Sequence, residues 1–216
     1  MVRCVARIGG IKMKSLIVGC SSTHGSDTVF PVYNLENTKH SWANVLSEKL
    51  GYVPDNQAIP GNSNQAIFHT AIEKLEKYDL LIVGWTSLAR ESWKYGNKNY
   101  FFNPNWACCV EDISMKDIYV KKLSNIKIVS DQEAMLEILV DQHRFLITHK
   151  FDLDQELKKV HHYRTCLQMM CKINKIRYID ANILGTIFND TPSLTSPGHP
   201  TINEHYKFAE QLLQLQ

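Results

Sequence analysis

A chain of 216 residues with 44% hydrophobic and 21% charged side chains is long enough to bury one sizeable core, and a single α/β domain is a normal outcome at this size. Its 24 basic and 22 acidic residues leave a formal net charge of +2 and are mixed along the chain, with no basic block to follow a phosphate backbone, so no nucleic-acid partner is expected. Six cysteines (Cys4, Cys20, Cys108, Cys109, Cys166, Cys171) show neither CxxC pairing nor zinc-like spacing, which points to reduced thiols in an intracellular protein, with no disulfide framework, no metal and no cofactor.

Residues 1–12 carry scattered basic side chains and no apolar run long enough for a signal peptide or a membrane span. They read as an extension, with 13–216 as one domain, cytoplasmic and without a membrane partner. The continuous apolar run Leu16–Val18 suits a buried strand of a parallel sheet. A helix from about Ser41 puts Trp42, Val45, Leu46 and Leu50 on one face and stops at Gly51. A second strand is expected at about Gln57–Ile59, and a helix over about Asn64–Tyr78 carries Phe68, Ala71, Ile72 and Leu75 at helical spacing into a third strand, Leu80–Gly84. This repeated βαβ rhythm predicts a parallel sheet covered on both faces.

Residues 95–128, rich in Asn and aromatics, break the rhythm and read as an irregular insertion that shapes the substrate side of any crevice. Helical patterns follow over about Asp131–His149 and Asp152–Ile173, then a strand over Ile176–Ala181. The last helix has a clear start, since Thr201 and Glu204 have capping-box spacing behind Pro200. His205 falls on its apolar face with Phe208, Ala209 and Leu212, as a packed residue. His199 instead precedes the helix, where the positive end of the dipole favours the neutral imidazole that a general base requires.

Open parallel sheets bind ligands at the carboxyl ends of their strands. Four stretches lie at such ends or are carried to them: Gly19–Gly25, Pro60–Asn64, Gly84–Arg90 and Ser196–Pro200. In this order, "GCSST", "IPGNSNQAI", "VGWTSLAR" and "SPGHP" resemble the sequence blocks of the SGNH hydrolases, also called GDSL esterases and lipases, and the set is particularly like SGNH-like proteins of tailed phages. The resemblance implies a three-layer α/β/α, flavodoxin-like fold with about five parallel strands. It also implies Ser21 as nucleophile, His199 as base, and an oxyanion hole from the N–H groups of Ser21 and Gly61 with the Thr86 hydroxyl. His24, Asn62, Asn64, Trp85 and Arg90 are then possible substrate contacts.

Two positions depart from the family pattern. Thr86 stands where the family has Asn, and one oxyanion donor is typically worth roughly 10² to 10³ in rate. The acid that orients the base is missing as well, because the positions three and two before His199 are Ser196 and Pro197. A backbone carbonyl, Asp190 or Asp180 are the candidates to replace it, and the stake is on the order of 10⁴ in turnover.

The leading reading is a serine esterase acting on a small acyl or O-acetyl ester of a small molecule or carbohydrate. The alternative is a catalytically weak or silent binding module, for example of a phage particle, located in the virion or the host cytoplasm. A flavodoxin-like nucleotide binder is disfavoured, because the first turn lacks G-x-G-x-x-G and no P-loop lysine follows. Blander roles stand beside the sharp ones: Cys20 as a small buried hydrophobe, His24 as a solvated turn residue, Arg90 paired with Glu91, Trp85 and Trp93 as packing residues, and His161 and His162 on the surface.

Overall fold

In the computed structural model the described residues are 12–30, 34–88, 90–95, 98–102, 152–183, 187–188, 190–194 and 199–216. The extension, the expected helix over 131–149 and most of the expected insertion lie outside them. The described elements are β1 (Lys14–Val18), α1 (Ser21–His24), α2 (Trp42–Lys49), β2 (Val53–Asn56), α3 (Asn64–Lys74), β3 (Leu80–Trp85), β4 (Glu91–Tyr95), β5 (Lys98–Phe102), α4 (Leu153–Ile173), β6 (Arg177–Asn182) and α5 (Ile202–Gln214). Short 3-10 turns at Leu35–His40 and Leu75–Lys77 precede α2 and extend α3.

β2, β1, β3 and β6 form a parallel sheet in that order. β1 and β3 are central, which is why they are continuous apolar runs: Leu16, Ile17, Leu80, Leu81, Ile82 and Val83 are all fully buried. One face packs Ile17, Leu80, Ile82 and Ile179 against Trp42 and Leu46 of α2 and Phe208 and Leu212 of α5. The other packs Leu16, Val18, Leu81 and Val83 against Ile67 and Ala71 of α3 and Val160 and Leu167 of α4. Three layers result, as the βαβ rhythm predicts. Each large apolar side chain taken from water contributes roughly 1.5–3 kcal/mol, enough to carry Ser15 into β1, where its hydroxyl meets Ser47 Oγ of α2 at 2.6 Å.

Two elements differ from the sequence expectation. The second strand is Val53–Asn56 rather than Gln57–Ile59: pairing with β1 begins at Val53 and runs through Pro54 and Asp55, and the Gln57 and Ile59 amides carry the same hydrogen bonding on to Ile17 O and Gly19 O past the strand's end. β4 and β5 pair antiparallel, with Tyr95 opposite Lys98, so Lys98–Phe102, at the start of the stretch expected to be irregular, is a strand. Their aromatic content suits strands.

The helix starts follow local chemistry. Ser41, Ser63 and Asp152 cap α2, α3 and α4 through their side chains, and Thr201 with Glu204 forms the expected capping box of α5. α2 has a second cap from across the core: its first amide, Trp42 N–H, donates to His205 Nδ1 at 3.2 Å. His205 is fully buried, and burial pushes its pKa down from 6.5 to about 4, so the ring is a neutral acceptor. Among the described residues no helix is long and apolar enough to cross a membrane.

Candidate active site

The sheet order places the switch point between β1 and β3, since the chain leaves β1 for one side of the sheet and β3 for the other. The turn after β1 sits on that seam. α1 is a single turn beginning at Ser21, and its Thr23 side chain is wedged over the ends of both central strands. A Cβ on Gly19 would lie 2.3 Å from Thr23 Oγ1, and one on Gly84 would lie 1.9 Å from the same atom. Glycine at 19 and 84 is thus what lets the Ser21 turn lie flat on β1 and β3. Gly25 ends α1 at φ 86, where a Cβ would meet Asn37 O at 2.6 Å.

Ser21 is 5% exposed. Neither its hydroxyl nor its amide makes a hydrogen bond among the described residues, and Cys20 supplies no side-chain cap to the turn. Cys20 itself is packed in the core.

The chain then turns through Ser26–Thr28, held by Ser26 N–H to Ser21 O, Thr28 N–H to Gly25 O and Thr28 Oγ1–H to Gly25 O. Asn37 pins the next residues, its Oδ1 accepting from the amides of Val29 and Phe30 and its Nδ2 donating to Phe30 O. Asp27 sits in this braced loop at φ 60. Its Oδ2 lies 2.6 Å from Nδ1 of His199, so the carboxylate beside the imidazole comes from the Ser21 turn, six residues after the serine.

The two acids considered from sequence are committed elsewhere. Arg164 of α4 binds Asp180 (Nε to Oδ2, 2.7 Å), Asp190 (Nη1 to Oδ1, 2.9 Å) and Thr191 Oγ1 (Nη2, 3.0 Å). Its guanidinium lies 4.4 Å from the centroid of the Phe188 ring. Asp180 also accepts from Trp85 Nε1 and the Tyr178 hydroxyl. Burial pushes the Tyr178 phenol well up, with the Asp180 charge adding to it, and Arg164 holds the Asp190 carboxyl below its ordinary value.

The second strand-end loop is a tight turn closed by Asn62 N–H to Ile59 O, with Pro60 and then Gly61 at φ 83, the sequence that a type II turn requires. Gly61 N–H has no acceptor among the described residues. Asn62 Nδ2 reaches toward Gly19 O at 3.5 Å, linking this turn to the Ser21 turn.

Asn64 holds the third loop. Its Oδ1 accepts from Thr86 N–H at 2.8 Å and its Nδ2 donates to Thr86 O at 2.9 Å and Ser87 O at 3.3 Å. Its amide is therefore engaged with backbone. The Thr86 hydroxyl is buried with no hydrogen-bond partner, a donor left for another acceptor.

The other sequence candidates fall out as follows. Trp85 is fully buried in the core and meets Phe188 edge to face. His24 is also buried, its Nδ1 3.4 Å from Ser26 Oγ, and burial pushes its pKa down. Arg90 donates its amide to Ser87 O. His161 and His162 are exposed on α4. No hydrogen bond joins Ser21 to His199.

Asp27, Asn56 and Arg164 were not singled out from sequence as site residues. Asn56 Nδ2 donates to Thr23 O at 3.1 Å and to Asn44 Oδ1 at 2.7 Å, tying the Ser21 turn to β2 and α2. The available signal was the dense Asn, Ser and Thr usage around the strand ends, which names no partners.

No family model matches the chain, and no curated protein matches it. Among solved structures it is similar to a lipolytic protein of the G-D-S-L family from Desulfitobacterium hafniense (14% identity, TM-score 0.38, covering 94% of this chain and 71% of that one). It is also similar to an acylhydrolase from Bacteroides fragilis (16%, 0.34, 94% and 85%) and a GDSL-like lipase from Bacteroides thetaiotaomicron (14%, 0.33, 94% and 86%). At these scores they are likenesses alone.

Proposed function

We propose that this chain is a serine-dependent ester hydrolase of the SGNH type, acting on a small acyl or O-acetyl ester with Ser21 as nucleophile and His199 as base. The observation that carries this reading is the Asp27–His199 contact at 2.6 Å. It fastens the histidine loop to the serine turn, and it supplies the carboxylate that the D-x-x-H position lacks. With Nδ1–H donated to Asp27, Nε2 is the basic nitrogen and the ring is held in one tautomer.

In the acylation step His199 Nε2 takes the Ser21 hydroxyl proton as Oγ bonds to the acyl carbon. The carbonyl oxygen becomes an oxyanion before the unbonded N–H groups of Ser21 and Gly61 and the unpartnered Thr86 hydroxyl. Collapse expels the alcohol, which takes the proton from His199. Water then repeats the sequence on the acyl-serine and frees the acid.

A catalytically weak module is the second reading, favoured by the absence of a Ser21–His199 hydrogen bond. Turnover of p-nitrophenyl acetate and labelling by a fluorophosphonate separate the two. The hydrolase reading expects Ser21→Ala to abolish labelling and Asp27→Asn to lower kcat by as much as about 10⁴, the loss when an orienting carboxylate is removed. Undiminished labelling of the Ser21→Ala protein overturns the nucleophile, and no turnover by wild type favours the silent module.

A further inference from the structure

Among the described residues Arg90 is a cation without a counter-ion. Its Nε and Nη1 are buried with no hydrogen-bond partner, and Nη2, which is not buried, makes no hydrogen bond among the described residues either. By contrast, the guanidinium of Arg164 is matched to carboxylates, taking Asp180 and Asp190. A half-buried guanidinium with unmet donors is an unfavourable arrangement for a finished fold, because a charge removed from water needs compensating acceptors. The same arrangement suits a site whose acceptor arrives with a ligand.

The backbone of Arg90 belongs to the strand-end loops around Ser21. Its amide donates to Ser87 O, and Ser87 O and Thr86 O are both held by Asn64 Nδ2. Two residues before Asn64, Asn62 reaches Gly19 O, which precedes Ser21 by two residues. These hydrogen bonds, joined by the short covalent steps 62–64 and 19–21, therefore link the backbone of the Arg90 loop to the Ser21 turn across the ends of β3 and β1.

We infer that Arg90 is the anion-binding residue of the site, and that the ester taken by Ser21 carries a carboxylate or phosphate group. This rests on the esterase reading for the word ester, while the anion subsite stands on Arg90 itself. The planar fork of a guanidinium matches either oxyanion, with paired N–H donors meeting two oxygens.

The test is binding to the full-length Ser21→Ala protein, which reports on the subsite without turnover. Benzoate, phenyl phosphate and the neutral isostere benzamide are titrated and followed by ligand-observed NMR. At least one of the two anions is expected to bind about tenfold tighter than benzamide, as a charge-assisted hydrogen bond allows. The tighter anion identifies the group. Adding Arg90→Gln is expected to bring all three ligands within about twofold of one another, and Arg90→Lys to keep part of the preference as a point charge without the fork.

Equal binding of the three ligands to the Ser21→Ala protein overturns the inference, as does an anion preference that survives Arg90→Gln. The first comparison needs no arginine variant, so it decides the matter even where Arg90→Gln fails to fold. Turnover of p-nitrophenyl acetate by wild type is read separately: its absence beside intact anion binding sinks the esterase and keeps the subsite, and the converse keeps the esterase alone.

Discussion

The fit of Thr23 over Gly84 can be tested by a double-mutant cycle. Gly84 is not among the glycines with positive φ, so Gly84→Ala introduces no backbone strain and its effect is steric. The new methyl would stand 1.9 Å from Thr23 Oγ1, 3.1 Å from Thr23 Cβ and 3.2 Å from Ile183 Cγ1. The first contact is impossible and the other two are tight, so the Thr23 side chain must leave its place. Overpacking of this kind costs about 1–3 kcal/mol. Thr23→Ala removes one buried methyl, worth roughly 1 kcal/mol, and also a buried hydroxyl that has no partner, so its own cost is expected to stay within about 1 kcal/mol. In the double variant the clash at 1.9 Å is gone. It is therefore expected to be more stable than the sum of the single changes by about 1–2 kcal/mol. Urea unfolding midpoints at a common m-value read this directly. Additivity within about 0.5 kcal/mol would refute the wedge, and the Ser21 turn would then have to be held by something else.

Acid should expose the buried histidine. His205 takes its proton at about pH 4 in the folded chain against 6.5 ordinarily, so between those values the unfolded chain binds more protons and stability falls as pH falls. At about 1.4 kcal/mol per pH unit the loss is about 3 kcal/mol between pH 6.5 and 4, with the contribution fully present above 6.5. His205→Asn keeps an acceptor for Trp42 N–H without titrating, and urea midpoints across that range should show a shallower acid slope than wild type. Arg164→Met leaves Asp180, whose side chain is 9% exposed, without its cation. Thermal or urea unfolding should show a loss of about 3–5 kcal/mol, partly restored by adding Asp180→Asn.

The parallel sheet was legible because Leu16–Val18 and Leu80–Gly84 are continuous apolar runs, a pattern that only strands buried on both faces need. The start of α5 was legible because Thr201 and Glu204 act on each other within one turn. β2 was misplaced because Pro54 and Asp55 have poor strand propensity, and pairing with β1 overrides it. Asp27 was not legible at all. Its contact with His199 spans 172 positions and depends on a left-handed residue inside a loop braced by Asn37, so no local spacing announces it. The sequence offers no choice between Asp180 and Asp190, and only the reach of Arg164 from α4 shows that both carboxylates are already taken.

The outer side of the sheet has its own consequence. Val53 and Gln57 turn their amides inward to β1, so the alternate positions, Pro54 and Asn56, face away from it. Proline has no hydrogen to offer there, and this margin of the sheet gives a visiting strand too few donors to dock. Concentrated protein should thus resist growing by sheet extension at this border, and any self-association has to find another route.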